Sequence, residues 1–210
     1  MNPEAGRQRS FALLASGADF SCAVLQALLR RGHRPELLLL PEFAPAPKVQ
    51  LGGVEIASPG TARQLLAIAG DIETGYAPRA RQQETAALLS ARRIDFMLVA
   101  CWPYLIDTTL AGSVAAAALN LHPSLLPRYR GPDPLQQQQA AGDAHYGVTL
   151  HLLDQRFDHG DIVLQAELSA TGGERDSMNP EQRCAELGAL LFIDAMQSWP
   201  DWKPVAQASL

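Results

Sequence analysis

The stretch Phe11–Gly32, FALLASGADFSCAVLQALLRRG, decides the fold class of this 210-residue chain. Its first five residues are apolar and end at Ser16-Gly17, a pattern typical of a buried strand that enters a turn. From Ala18 to Arg31 the apolar residues recur at helical spacing, and Gly32 closes the predicted helix. A buried strand followed at once by a helix predicts the start of a parallel sheet with crossover helices.

The same alternation continues downstream. Further buried strands are predicted at Glu36–Leu40, at Asp95–Cys101 and within Val114–Leu121, and helices at Thr61–Ala69 and Arg79–Arg92, with a loop over Pro41–Gly60. After Leu121 we expect a loop, a helix through Ala141, two strands beside the parallel sheet at Gly147–Leu153 and Ile162–Leu168, and a closing helix over Ala185–Trp199. The predicted fold class is α/β, a Rossmann-like, mainly parallel sheet flanked by helices, in one domain over residues 1–210.

Composition excludes some classes of function. Lys and Arg number 17 against 22 Asp and Glu, a net charge of -5, which gives no support for a broad basic face that binds nucleic acid. The three cysteines, Cys22, Cys101 and Cys184, are far apart and predict buried thiols in a reducing compartment. Because no apolar run reaches the ~18 residues of a membrane span and the start does not fit a signal peptide, we expect a cytoplasmic protein.

The segment Asn120–Gly131, NLHPSLLPRYRG, contains the candidate chemistry. Alternate residues of a strand point to the same side, so Asn120 and His122 are predicted to share a face where a parallel strand ends. An amide can stabilise an oxyanion and an imidazole can move protons near neutral pH, which together suit acyl transfer. Asp158, in a later polar bend, could orient the imidazole or favour its charged form. Taken alone, these residues fit a hydrogen-bonded loop histidine equally well.

Asn120–Gly131, followed by GVTLHLLDQRFDHGDI at 147–162, resembles the signature of the 10-formyltetrahydrofolate-dependent formyltransferases. The likeness covers most of residues 10–195, including LLASGADFSCAVLQALLRRGH at 13–33 and DFMLVACWPYLID at 95–107. It is closest to the catalytic domain of the methionyl-tRNA formyltransferase branch. The resemblance implies a one-carbon transferase that uses 10-formyltetrahydrofolate as formyl donor and needs no metal.

The resemblance also implies roles for particular residues. Asn120, His122 and Asp158 match the catalytic positions, and Asp158 is expected to raise the pKa of the imidazole. The donor's pterin is expected between two segments, which gives as cofactor-binding residues Ala100, Cys101, Trp102, Pro103, Tyr104, Leu105, Leu152, Leu153 and Asp154. Ser124 matches a position that shapes the loop and is a candidate for substrate binding.

A second candidate for substrate binding comes from the residues themselves. Ser16 and Gly17 precede a predicted helix whose N-terminus could bind a phosphate, although the glycines of a dinucleotide fingerprint are missing. A metal cluster could also be drawn from His151, Asp154, Asp158, His159 and Asp161. The resemblance gives those residues another explanation, so no metal is expected.

Three departures from the methionyl-tRNA branch bear on the acceptor. The chain ends near residue 210, which leaves no room for that branch's C-terminal domain, and Lys48 is the only basic residue of the loop PEFAPAPKVQLGG at 41–53. His151 stands seven residues before Asp158, as in branches that act on small amines. Because phosphate contacts dominate affinity for nucleic acid, we expect a small amine acceptor rather than a tRNA.

Two alternatives stay open at this stage. One is a hydrolase that passes the formyl group to water. The other is a non-catalytic protein that binds folate or a partner, because Cys101-Trp102-Pro103 stands where the family usually has Gly or Tyr. In that loop Trp102 could stack on the pterin or block it.

Overall fold

The computed structural model describes residues 9–42, 49–51, 54–56, 62–170 and 178–207. Its strands are β1 (Phe11–Ala15), β2 (Leu37–Pro41), β3 (Val49–Leu51), β4 (Val54–Ile56), β5 (Thr74–Ala77), β6 (Phe96–Ala100), β7 (Ala117–His122), β8 (His145–Leu152) and β9 (Ile162–Ser169). Its helices are α1 (Asp19–Arg30), α2 (Ala62–Ala69), α3 (Gln82–Ala91), α4 (Thr108–Ala111), α5 (Pro134–Ala141) and α6 (Pro180–Ser198), with a 3-10 turn at Arg79–Arg81.

Seven of the strands form one sheet in the order β5-β2-β1-β6-β7-β8-β9. The first five run parallel, whereas β8 and β9 are antiparallel additions beside β7. β1, β2 and β6 are buried along their whole length because helices cover both faces of the sheet. The predicted α/β class, with its mixed extension, is confirmed.

The two faces of the sheet carry separate hydrophobic clusters. One joins the sheet to α1, α2 and α6, with Phe11 packed edge-to-face on Phe192 at a centroid distance of 5.1 Å. The other joins the sheet to α3 and α4. Helices therefore cover both faces of the sheet. The carboxyl ends of β1, β6 and β7 lie at one edge, where loops can form a site.

The structure differs from the sequence prediction at several elements. The predicted loop over Pro41–Gly60 contains a short hairpin of β3 and β4, and its remaining residues beyond Glu42 lie outside the described ones. β5 was not predicted, because its residues are polar or small and it lies at the edge of the sheet. α6 begins at Pro180, five residues before the predicted start, because Asn179 and Gln182 form a capping box.

The structure also bears on the predictions about the cysteines and about membrane-spanning segments. Cys22 and Cys184 are buried as predicted, but Cys101 is exposed, so the prediction of three buried thiols was wrong for that residue. Cys101 follows the last residue of β6 with a φ of 57°, so the chain leaves the line of the strand at this residue. No helix in the described part of the chain is long and apolar enough to cross a membrane.

Candidate active site

The carboxyl end of β7 carries Asn120 and His122 on the same side, as the alternation of the strand requires. Asn120 is in register with His151 on the antiparallel strand β8. Its amide nitrogen Nδ2 lies 3.0 Å from Nε2 of His151 and 3.2 Å from Oδ1 of Asp158. One amide group therefore connects two strands to the bend that carries the carboxylate.

His151 is buried and its ring orientation is fixed. Its Nδ1 donates to the carbonyl oxygen of Leu152 at 2.8 Å, since a carbonyl can only accept. In the neutral ring Nε2 is then an acceptor, and Asn120 donates to it. This assignment places the nitrogen of the Asn120 amide on the side of His151 and Asp158.

Asp158 lies in the bend between β8 and β9 with a φ of 57°, in the left-handed region that non-glycine residues adopt less often. Its Oδ2 accepts the backbone N–H of Gly131 at 2.9 Å. Its backbone oxygen accepts Nε of Arg130 at 3.2 Å and Nε2 of Gln207 at 3.0 Å. These bonds join the Asp158 bend to the loop that follows β7.

The bend also packs closely on β8 through Gly160. A Cβ atom at this glycine would lie 1.7 Å from the backbone oxygen of Leu152 and 3.4 Å from Nδ1 of His151. Only a residue without a side chain lets the bend approach the strand so closely. Gly160 thereby sets the distance between Asp158 and the residues of β7 and β8.

His122 is buried, and both of its ring nitrogens face protein groups. Nε2 donates to the carbonyl oxygen of Tyr129 at 2.8 Å, and Nδ1 lies 3.4 Å from Oδ1 of Asp158. The contact with Tyr129 places a proton on Nε2, so in the neutral ring Nδ1 is free to accept one. A proton taken up at Nδ1 would face the carboxylate directly.

The charges of the pair follow from burial and from its neighbours. Burial lowers the pKa of His122 more than the charge of Asp158 and the Tyr129 carbonyl raise it, so the net pKa lies below its usual value. Asp158 raises the pKa of the imidazole, as expected, and burial gives the net shift its opposite direction. For Asp158, burial raises the pKa. His151, the charge of His122 and the Gly131 N–H lower it by more than burial raises it, so the net pKa lies below its usual value.

These side chains open on a cavity of about 720 Å³. Of the predicted cofactor-binding residues, Cys101–Leu105, Leu153 and Asp154 line it, whereas Ala100 and Leu152 do not. The structure adds lining residues that the sequence did not point to, among them Phe20, Asp133, Leu135, Gln136, Gln139, Asn179, Pro180 and Glu181. The capping pattern of α6 could have located Asn179 at a helix start, but not beside the site.

The loop after β6 forms one wall of the cavity. Trp102 packs partly on the second hydrophobic cluster and edge-to-face on Tyr104, at a centroid distance of 5.9 Å. Cys101 faces the cavity, yet the surrounding protein desolvates the thiol and raises its pKa to about 12. The thiol is therefore protonated near neutral pH and a poor nucleophile.

The three predicted substrate-binding residues lie outside the cavity lining. The N–H of Gly17 donates to Oγ of Ser21 at 3.1 Å, and the N–H of Ala18 donates to Oγ of Ser16 at 3.3 Å. Ser124 is fully buried, and its hydroxyl donates to the carbonyl oxygen of Arg128 at 2.8 Å. All of these contacts are with other protein groups, including Ser21 of α1, and the role of the three residues in binding stays a prediction.

The described residues contain no group of three or more His, Cys, Asp or Glu side chains placed to hold a metal ion. The polar residues of the bend instead bond to one another and to the backbone. His159, for example, directs its Nδ1 at the carbonyl oxygen of Phe157.

Comparison with known proteins matches residues 48–196 to the family model described as formyl transferase. The chain is 30% identical over 193 residues to methionyl-tRNA formyltransferase of Aromatoleum aromaticum, which covers 91% of this chain and 58% of that protein. It is 29% identical over 194 residues to the same enzyme of Nitrosospira multiformis, covering 92% of this chain and 60% of that protein. The chain thus spans less than two thirds of the length of these relatives.

Two solved structures share the fold. Glycinamide ribonucleotide transformylase 1 of Symbiobacterium toebii has a TM-score of 0.67 at 20% identity, over 93% of this chain and 89% of that one. A formyltetrahydrofolate deformylase of Pseudomonas syringae pv. tomato has a TM-score of 0.67 at 17% identity, over 97% of this chain and 67% of that one.

Proposed function

Because this chain belongs to the formyl transferase family, we propose that it is an N-formyltransferase that moves the formyl group of 10-formyltetrahydrofolate to a small amine. The observation that carries the proposal is the cluster of Asn120, His122 and Asp158 at the carboxyl end of β7, open to the 720 Å³ cavity. An amide and an imidazole that lie 3.2 and 3.4 Å from the same carboxylate oxygen are suited to acyl transfer without a covalent enzyme intermediate.

The lining of the cavity supports a folate as the formyl donor. Apolar side chains that could face a pterin and its aromatic tail line the side formed by the loop after β6 and the Asp158 bend, namely Val99, Trp102, Leu105, Ile106, Leu153 and Phe157. Leu105 and Phe157 are among the most exposed large apolar residues of the described chain, as expected of side chains that await a ligand. When bound, 10-formyltetrahydrofolate supplies the formyl carbon.

Asn120 and His122 would then act on different parts of the reaction. Asn120 directs an N–H at the formyl oxygen and stabilises the negative charge that develops there, exchanging its 3.2 Å contact with Asp158 for this one. The acceptor amine loses a proton as its bond to the formyl carbon forms. Nδ1 of His122 takes up this proton beside the Asp158 carboxylate, and the same proton can return to the departing folate nitrogen.

The charges around the cavity favour an acceptor without phosphate. The lining includes the carboxylates of Asp133, Asp154, Asp158 and Glu181. Arg156 is the one Lys or Arg among the described lining residues, and its guanidinium lies 3.9 Å from Asp154. Since a phosphate needs cationic or N–H partners, and the N–H groups of Gly17 and Ala18 bond to side chains, the acceptor is proposed to be neutral or cationic apart from its reacting amine.

An activity assay tests this proposal. The purified protein is incubated with 10-formyltetrahydrofolate and a panel of amines that includes amino sugars, diamines, glycinamide ribonucleotide and charged initiator tRNA. Tetrahydrofolate and the formylated product are followed by mass spectrometry. We expect transfer to an amine without phosphate, and loss of transfer in Asn120→Ala, His122→Ala and Asp158→Ala.

Each other outcome contradicts a defined part of the proposal. Formate release without any amine would make the protein a hydrolase. Transfer only to glycinamide ribonucleotide or tRNA would overturn the inference about acceptor charge. An absence of folate binding by calorimetry would exclude both enzymes and leave a binding protein.

A further inference from the structure

The segment that follows α6 turns back across the edge of the sheet. Val205 pairs with Ile162, the first residue of β9, through two backbone hydrogen bonds of 2.8 and 2.9 Å. Earlier in the segment, Nε1 of Trp202 donates to the carbonyl oxygen of Ala195 on α6 at 2.9 Å. The pairing of Val205 holds the segment against β9, and Gln207, two residues further on, lies beside the bend that carries Asp158.

The amide of Gln207 contacts both loops of the candidate active site. Its Oε1 accepts from Nε and Nη2 of Arg130, in the loop after β7, at 3.1 and 2.7 Å. Its Nε2 donates to the backbone oxygens of Asp158 at 3.0 Å and Gly160 at 2.8 Å. A primary amide offers an acceptor and two donors on one planar group, a combination that neither a carboxylate nor an ammonium provides.

Asp158, which Gln207 contacts, has a backbone conformation that is unfavourable for a residue with a side chain. Asp158 has a φ of 57°, and such conformations persist where the surroundings fix them. Arg130 and Gln207 converge on its backbone oxygen, while Gly131, the residue after Arg130, donates to its carboxylate. The position of the carboxylate against His122 therefore depends on both loops staying in contact.

We propose that Gln207 is a positioning residue for formyl transfer, which joins the loop after β7 to the Asp158 bend and so holds the carboxylate beside His122. The part of this inference that concerns rate rests on the proposed function. Gln207 does not line the cavity, so its effect should be on kcat and not on binding of the donor.

Two substitutions separate its contacts. Gln207→Ala removes all of them, and kcat is expected to fall about tenfold or more, with the KM for 10-formyltetrahydrofolate within about twofold of wild type, because small displacements of catalytic groups are costly. Gln207→Glu keeps an acceptor for Arg130 but sets a carboxylate against two carbonyl oxygens. At pH 7 the kcat of Gln207→Glu should be at least as low as that of Gln207→Ala. The kcat of Gln207→Glu relative to wild type should rise as the pH falls towards about 4.3, where the side chain gains a proton that it can donate.

Trp202→Phe is the matched control, because it removes one hydrogen bond of the same segment without touching either loop. We expect it to lower Tm about as much as Gln207→Ala while kcat stays at the wild-type value. Wild-type kcat in Gln207→Ala, or an equal loss of kcat in Trp202→Phe, would overturn the positioning role.

A readout that does not need activity distinguishes this inference from the proposed function. Hydrogen exchange of the Gly131 amide, followed by NMR, reports whether Asp158 stays in place. Exchange should accelerate about tenfold or more in Gln207→Ala and remain at the wild-type rate in Trp202→Phe. If the wild-type protein transfers no formyl group, the proposed function fails, and an unchanged Gly131 exchange rate would independently overturn the role of Gln207.

Discussion

Nε2 of His151 lies 3.0 Å from Nδ2 of Asn120, and the two residues face each other in register across β8 and β7. The ring of His151 is fixed by its bond to the Leu152 carbonyl, so it presents an acceptor to the asparagine. The orientation of the Asn120 amide, on which the proposed oxyanion stabilisation rests, is thereby set from the neighbouring strand.

The first prediction follows from this contact. His151→Phe should lower kcat about tenfold, since Asn120 keeps its N–H groups but loses the acceptor that orients them. Asn120→Ala should cost about 10²–10³-fold, the loss seen when an oxyanion donor is removed. Steady-state kinetics with the acceptor found for this protein measures both. His145→Ala, at an exposed position of the same strand that faces Glu167, serves as the control. A kcat for His151→Phe equal to that of His145→Ala would refute the orienting role.

The second prediction concerns the protonation of His122. Its pKa should lie below the ordinary value of about 6.5, because burial outweighs the attraction of Asp158. Asp158→Asn should lower it further, since the attraction disappears while the burial stays. Titration of the ring Hε1 signal by NMR, assigned with His122→Gln, gives both values. A wild-type midpoint above 6.5 would show that the carboxylate dominates.

The same shifts predict how stability changes with pH. The pKa of His122 is lower in the folded protein than in the unfolded chain, so below about pH 6.5 the unfolded chain binds more protons. The free energy of unfolding therefore falls as the pH falls. The lowered pKa of Asp158 adds a loss in the same direction at still lower pH. Urea unfolding between pH 7.5 and 5.5 should show a smaller decrease for His122→Gln than for the wild type. Equal decreases would contradict this account.

The third prediction concerns Gly160. Gly160→Ala places a Cβ into the backbone of Leu152, which cannot move without disturbing β8, so the free energy of unfolding should fall by about 3 kcal/mol or more. Gly142→Ala is the comparison, because its added Cβ meets nothing within 4 Å and only its φ of 69° opposes a side chain. That change should cost about 1 kcal/mol. Urea unfolding of both variants would contradict the argument if Gly142→Ala were the less stable.

The fourth prediction concerns Trp102, which the sequence left as either a platform for the pterin or an obstacle to it. Because its ring is braced against Tyr104 and the second hydrophobic cluster, we expect it to stack on the donor. Trp102→Ala should weaken the Kd for 10-formyltetrahydrofolate about tenfold or more, the usual loss for a stacking platform. Isothermal calorimetry measures this directly. Tighter binding in the variant would identify Trp102 as an obstacle.

Much of the fold could be predicted from the sequence, because local periodicity reports burial. The apolar run of β1 and the helical spacing of α1 identified the parallel sheet, and the family that the motifs resemble is confirmed by the family match. β5 was missed because a short edge strand buries little surface and so carries a weak pattern.

The candidate site was predicted in part, for a related reason. Asn120 and His122 are two residues apart on one strand, so their shared face follows from backbone geometry alone. Glu181 and Asn179 join the cavity only because α6 packs against α1 and places its N-terminus there. No local pattern reports such a contact.

The sequence by itself determined the α/β class with its buried strands and main helices, the face shared by Asn120 and His122, and the family signature that adds Asp158. Only the tertiary structure decided that His151 contacts Asn120, that burial gives His122 a lowered pKa, and that Gln207 reaches Asp158 across 49 positions of the chain. The physical reason is the separation along the chain over which each effect acts. Strand and helix periodicity is written into neighbouring residues, whereas desolvation and long-range hydrogen bonds exist only after distant segments have packed together.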